Sequence, residues 1–96
     1  MTIYWTKKAK NRFLEITNYI TSEFGSISSA KFKERTFDFL ILLSEFPELG
    51  SLEVPNKNIY GFQLSKQTKL FYRINNNHIS LLTFFHSRQD PKQKPK

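Results

Sequence analysis

The spacing of the apolar residues changes once along this chain, and that change limits the folds open to it. Over residues 7–24, Ala9, Phe13, Ile16, Ile20 and Phe24 recur at steps of four, three, four and four, which places them on one face of an amphipathic helix. Thr6 suits the start of that helix and Gly25 its end. A second helix is predicted over 28–46, from a Ser28-Ser29 cap to Phe46, where Pro47 forbids continuation. Phe37, Leu40, Ile41 and Ser44 make one of its faces and Phe39, Leu42, Leu43 and Phe46 another. Its C-terminal half is therefore apolar nearly all round and needs cover on more than one side, from its own sheet or from a partner.

Beyond residue 59 the period falls to two. Tyr60, Phe62 and Leu64 alternate with Gly61 and Gln63, Leu70, Tyr72 and Ile74 alternate with Phe71 and Arg73, and Ile79 to Phe85 is apolar almost throughout. These segments read as three strands, with Asn75 to His78 as a tight turn before the last. Residues 47–58, with Pro47, Gly50 and Pro55, read as a connector. Adding Ile3–Trp5 as a first strand gives the order β-α-α-β-β-β. This is an α+β fold, a helical hairpin packed on one face of a small, mainly antiparallel sheet.

At 96 residues the chain fits one domain, expected over 1–91. It has no cysteine, which excludes disulfides and thiolate metal sites and suits a reducing, cytoplasmic setting. Its start has neither the charge order of a signal peptide nor the apolar length of a membrane span. Fifteen basic residues against eight acidic ones give a net charge of +7, of which +3 falls in Ser87 to Lys96. An anionic partner is implied, although residues 92–96 read as a disordered basic tail. No metal or cofactor is expected.

The order of motifs resembles the RelE/ParE superfamily of plasmid-stabilisation and toxin–antitoxin toxins over residues 2–91. The residues that carry it are Trp5-Thr6, Ala9, Phe46-Pro47 and Gly50, then Gly61-Phe62-Gln63-Leu64 and Lys69-Leu70-Phe71-Tyr72-Arg73-Ile74, then Leu81 to His86, Arg88 and Asp90-Pro91. The resemblance implies a growth-inhibiting toxin of a type II system, neutralised by an acidic antitoxin in a hetero-oligomer. It also implies one of two targets. ParE-like members poison DNA gyrase, whereas RelE-like members cut messenger RNA on the ribosome. A non-toxic, basic nucleic-acid-binding module is the remaining reading.

Metal-independent RNA cleavage needs a base, an acid and cations around the phosphate. Pairing Ile74 with Ile79 across the turn sets Arg73 opposite Ser80, Phe71 opposite Leu82 and Lys69 opposite Phe84. His86 then joins Lys69 and Arg73 on one sheet face, with Gln63, while Leu70, Tyr72, Ile74, Leu81 and Phe85 meet the helices. The nuclease set is thus His86 as acid or base with Lys69, Arg73 and Arg88 as cations, and Glu48 or Glu53 as the available carboxylates. The resemblance argues against it, since RelE-like members usually carry arginine at the place of Lys69, and lysine lacks its two-pronged phosphate geometry. The ending His86-x-Arg88-x-Asp90-Pro91 looks ParE-like. Antitoxin contacts are expected from aromatic and aliphatic residues of the second helix and the sheet, namely Phe39, Leu43, Phe46, Phe71, Leu82 and Phe84.

Overall fold

The first strand, β1 (Thr2–Trp5), enters helix α1 (Lys7–Phe24) through Thr6. Thr6 Oγ1 accepts from the Ala9 N–H at 3.1 Å and donates to the Leu81 carbonyl at 2.6 Å. One side chain therefore caps the helix and ties it to a central strand. Ala9, Phe13, Ile16 and Ile20 form the buried face as their spacing requires, joined by Thr17, whose hydroxyl donates to the Phe13 carbonyl. Helix α2 (Ser26–Glu45) follows after Gly25 alone, two residues earlier than the expected Ser28-Ser29 cap. Gly25, at φ 92°, turns the chain in a single residue, and its N–H closes α1 on the Thr21 carbonyl at 2.9 Å. Ser29 is then helical, with its hydroxyl turned back to the Ser26 carbonyl.

Among the described residues the sheet has five strands in the order β1-β5-β4-β3-β2, where β2 is Ser51–Val54, β3 Ile59–Gln63, β4 Thr68–Ile74 and β5 His78–His86. β1 runs parallel to β5 and every other pair is antiparallel. Strand β2 lies in the segment read as a connector. Its four residues, bounded by the single 3₁₀ turns Pro47–Leu49 and Pro55–Lys57, are too few to show a period and pair with β3 through a bulge at an exposed edge. The computed structural model describes residues 1–89, so Asp90-Pro91 and the expected 92–96 tail lie outside the described residues. No described helix is long and apolar enough to cross a membrane.

Both helices lie on one face of the sheet. Trp5, Phe13, Phe32 and Phe84 form an aromatic cluster between the layers, with ring centroids 5.3 to 5.8 Å apart, and Phe39 stacks on Phe62 at 3.9 Å. Tyr72, fully buried, fastens the edge of this core. Its hydroxyl donates to the Pro47 carbonyl and accepts from the Gly50 N–H, each at 2.9 Å. Burial pushes that hydroxyl above its ordinary pKa, so it keeps its proton and its role as donor. A Cβ on Gly50 would stand 2.7 Å from the Gly61 carbonyl oxygen, so the approach of these two backbones admits only glycine.

Candidate functional site

The β4–β5 register decides which side chains can act together. From the turn inwards Ile74, Arg73 and Tyr72 pair with Ile79, Ser80 and Leu81, as expected. Phe71 then pairs with Thr83 instead of Leu82, so Leu82 is the extra residue of a β-bulge. Every later pair is shifted by one, with Leu70 opposite Phe84, Lys69 opposite Phe85 and Thr68 opposite His86. A shift of one residue exchanges the faces of a strand. Phe84 and His86 therefore turn under the helices, at 1 % and 4 % exposure, and Phe85 takes the outer face. The expected grouping of His86 with Lys69 and Arg73 is corrected accordingly: the histidine lies on the opposite side of the sheet.

The outer face keeps Lys69, Phe71 and Arg73, which alternate along β4. Lys69 Nζ is 2.9 Å from Glu53 Oε2 and 5.2 Å from the centre of the Phe71 ring. The pair spans Gly61, where a Cβ would meet Lys69 Cε at 2.6 Å and Glu53 Oε2 at 2.9 Å. Glu53 reaches this position because the unforeseen strand β2 lies beside Gly61. Gln63, placed by its pattern on this side, is folded onto the β3–β4 link, its Nε2 donating to the Ser65 carbonyl at 2.8 Å. His78 is held by its own turn, with ring nitrogens 3.0 and 3.2 Å from Asn77 Oδ1 and Asn75 Nδ2.

On the helix side the His86 ring meets the edge of Tyr19 at 5.4 Å. Burial lowers its pKa below the ordinary 6.5, and the positive charges of Arg12 and Arg88 lower it further. Arg12 spans the layers, with Nε donating to the Phe84 carbonyl at 3.3 Å and a terminal nitrogen 2.6 Å from Glu15. Arg88 lies over the Phe24 ring, 6.0 Å from its centre. His86 and Arg88 are thus brought to one end of the helical layer, apart from Lys69 and Arg73. Among the described residues no cluster of three or more histidines or carboxylates is placed to hold a metal ion.

The six residues expected to meet an antitoxin divide by burial. Phe39, Leu43 and Phe84 are almost wholly buried in the core, because α2 and β5 turn them inwards, although Phe39 also lines a groove beside α2. Phe46 is 57 % exposed, and Phe71 and Leu82 are partly exposed. Each apolar face of α2 is covered only in part among the described residues: Phe37 and Ile41 of one face and Leu42 and Phe46 of the other remain open to solvent. Leu42 and Leu49 also flank an open groove of about 700 Å³ between α2 and β3, with Phe39 and Phe62 in its wall and both basic (Lys31, Arg35) and acidic (Glu34, Asp38) residues along it.

Two helices on one face of an open five-stranded sheet define the RelE/ParE-like class of toxin–antitoxin folds, and known structures agree. The chain is similar to the chromosomal ParDE system of P. aeruginosa, at 19 % identity and a TM-score of 0.74 over 90 % of this chain and 95 % of that one. It is also similar to a YoeB/ParE toxin from Agrobacterium tumefaciens, with 12 % identity, a TM-score of 0.63 and coverage of 90 % and 98 %. The RelBE2 toxin–antitoxin complex of Mycobacterium tuberculosis matches at 21 % identity and a TM-score of 0.58, over 88 % and 95 %. Sequence comparison with curated proteins finds no significant relative. The chain belongs to the family of ParE toxins of the type II toxin–antitoxin system parDE, whose model matches residues 3–91.

Proposed function

We propose that this toxin arrests growth by binding DNA gyrase, in the manner of ParE-like members, and not by cutting RNA. The observation that carries this reading is the Leu82 bulge, which puts His86 on the opposite sheet face from Lys69 and Arg73. Lys69 is in addition partly neutralised by Glu53. A general acid buried behind the sheet does not reach a phosphate held on its outer face. Purified toxin should inhibit gyrase supercoiling or trap cleaved DNA, and growth arrest with unaffected gyrase at micromolar toxin overturns the proposal.

The outer face supplies one observation for the other mechanism. Glu53, Lys69 and Phe71 form a carboxylate, a cation and an aromatic ring in direct contact, and RNA cleavage would use these with Arg73 and without His86. Codon-phased cuts in message that vanish in Glu53→Gln and persist in His86→Ala are the sign of that alternative.

The partner we propose is an acidic, amphipathic antitoxin segment that wraps the apolar residues left exposed on α2 and at its end, Phe37, Ile41, Leu42 and Phe46. Neighbouring folds have been solved as toxin–antitoxin complexes, and exposed apolar residues on a chain of net charge +7 suit a segment that carries both apolar and acidic residues.

A further inference from the structure

Helix α1 begins with charges that work against it. Lys7, Lys8 and Lys10 stand at its start, all three exposed, and its first turn holds no acidic residue. The start of a helix is the positive end of its dipole and repels cations, and Lys7 and Lys10, one turn apart, also repel each other. The ion pairs among the described residues join Arg12 to Glu15 and Lys69 to Glu53, and neither holds one of these lysines. The acidic residues of α1 itself are Glu15, engaged by Arg12, and Glu23, near the far end. Asp90, the one acidic residue beyond the described ones, offsets at most one of the three charges. On α2, by contrast, Lys31, Lys33 and Arg35 are interspersed with Glu34 and Asp38.

The positions of the lysines around the helix say what kind of surface they form. All three lie outside the buried face of Ala9, Phe13 and Ile16 and fan over about 160° of the helix surface. Exposed Asn11 falls between Lys7 and Lys8, and Leu14, half exposed, between Lys10 and Lys7. The aromatic residue in these first turns, Phe13, is buried. Thr6, bonded to the Leu81 carbonyl, fixes this end of α1 to β5, so the charges are carried by an anchored helix and not by a loop.

Uncompensated lysines spread over a helix without an aromatic anchor fit a polyanion whose charges are spread in the same way. Protein interfaces are depleted in lysine and built on buried aromatic and arginine anchors. Single-stranded nucleic acid is held by stacking on aromatic rings. The phosphate backbone of a duplex needs neither, and lysine serves it as a point charge. We propose that the first turns of α1 form a sequence-independent contact for duplex DNA, with Lys7, Lys8 and Lys10 on backbone phosphates. The contact lies on the other helix from the residues proposed for the antitoxin, and it does not depend on which target the toxin attacks.

The test is fluorescence anisotropy of a labelled duplex of about 20 base pairs titrated with the full chain, from about 50 to 200 mM salt. Binding should weaken steeply as salt rises. Lys7→Gln, Lys8→Gln and Lys10→Gln together should lower affinity about tenfold or more at the lowest salt. They should also reduce the slope of log affinity against log salt by roughly 2.7, since each lost phosphate contact removes about 0.9. Lys33→Gln, Lys57→Gln and Lys66→Gln together remove the same charge from scattered exposed positions and should leave that slope nearly intact. Lys7→Arg, Lys8→Arg and Lys10→Arg together should retain binding. The first glutamine variant should melt at the same temperature or higher, because the dipole no longer opposes its side chains; a lower midpoint would show that the lysines serve the fold and overturns the proposal. No binding up to roughly 100 µM toxin at the lowest salt overturns it. So do equal losses in the two glutamine variants, or a loss seen only when Lys92, Lys94 and Lys96 are replaced. Tighter binding to a single strand of the same sequence, or to polyglutamate, also overturns it, by assigning the lysines to a different partner. Gyrase takes no part in this readout, so its outcome is separate from that of the supercoiling assay.

Discussion

His86 enters folding as a neutral ring, and that has a consequence for pH. Its folded pKa lies below the unfolded value of 6.5, because burial and the charges of Arg12 on α1 and Arg88 beyond β5 oppose protonation. The unfolded chain therefore takes up the proton first. The stability tied to a neutral His86 is present above pH 6.5 and is lost as pH falls from there toward the folded value. Thermal unfolding followed from pH 7.5 to 5 should show this decline, and the slope, not the absolute midpoint, should flatten in His86→Gln. Tyr72→Phe removes two partly buried hydrogen bonds and leaves the Gly50 N–H and the Pro47 carbonyl to be satisfied elsewhere; a loss of about 2 kcal/mol is expected in urea unfolding. The two close-packed glycines should respond unequally to alanine. At Gly50 the new Cβ meets a backbone oxygen at 2.7 Å, whereas at Gly61 it meets the flexible ends of Lys69 and Glu53. Gly50→Ala should lower the unfolding midpoint severely. Gly61→Ala should cost little beyond the Glu53–Lys69 pair, about 1 kcal/mol or less for a partly exposed pair.

Helix α2 serves two surfaces, and its residues separate them. Leu43 is fully buried, so Leu43→Ala should destabilise the fold by about 2 to 5 kcal/mol. Ile41 is 64 % exposed, so Ile41→Glu should alter stability by no more than about 0.5 kcal/mol. If the exposed residues Phe37, Ile41, Leu42 and Phe46 receive the antitoxin, the same Ile41→Glu should abolish co-purification with it while gyrase inhibition persists. Intact co-purification would move the antitoxin elsewhere. The helical pair was readable in the chain because Ala9, Phe13, Ile16 and Ile20 obey one period and Pro47 must end α2. The exact start of α2 was not, since a turn made by Gly25 alone and one made by a serine pair differ only in backbone angles. Strand β2 was invisible for another reason: four residues between prolines, three of them exposed, gain their strand character from the edge of β3 they pair with.

At the scale of the molecule, induction of the toxin in a bacterium separates the two targets, with DNA-damage signalling and intact message expected for a gyrase poison and early message cleavage for a nuclease. The layer order follows from hydrophobic period and turn residues, because each depends on neighbours close in the chain, whereas the family was legible only as a resemblance in the order of short motifs. The faces of β4 near the turn follow in the same way, and Ile74, Arg73 and Tyr72 pair as alternation requires. The site could not follow. Alternation assumes an unbroken ladder, and the one extra residue at Leu82 exchanges the faces of Phe84, Phe85 and His86, which then turn according to how the aromatic cluster packs against α1 and α2. Whether His86 stands beside Lys69 or behind the sheet is a property of that packing.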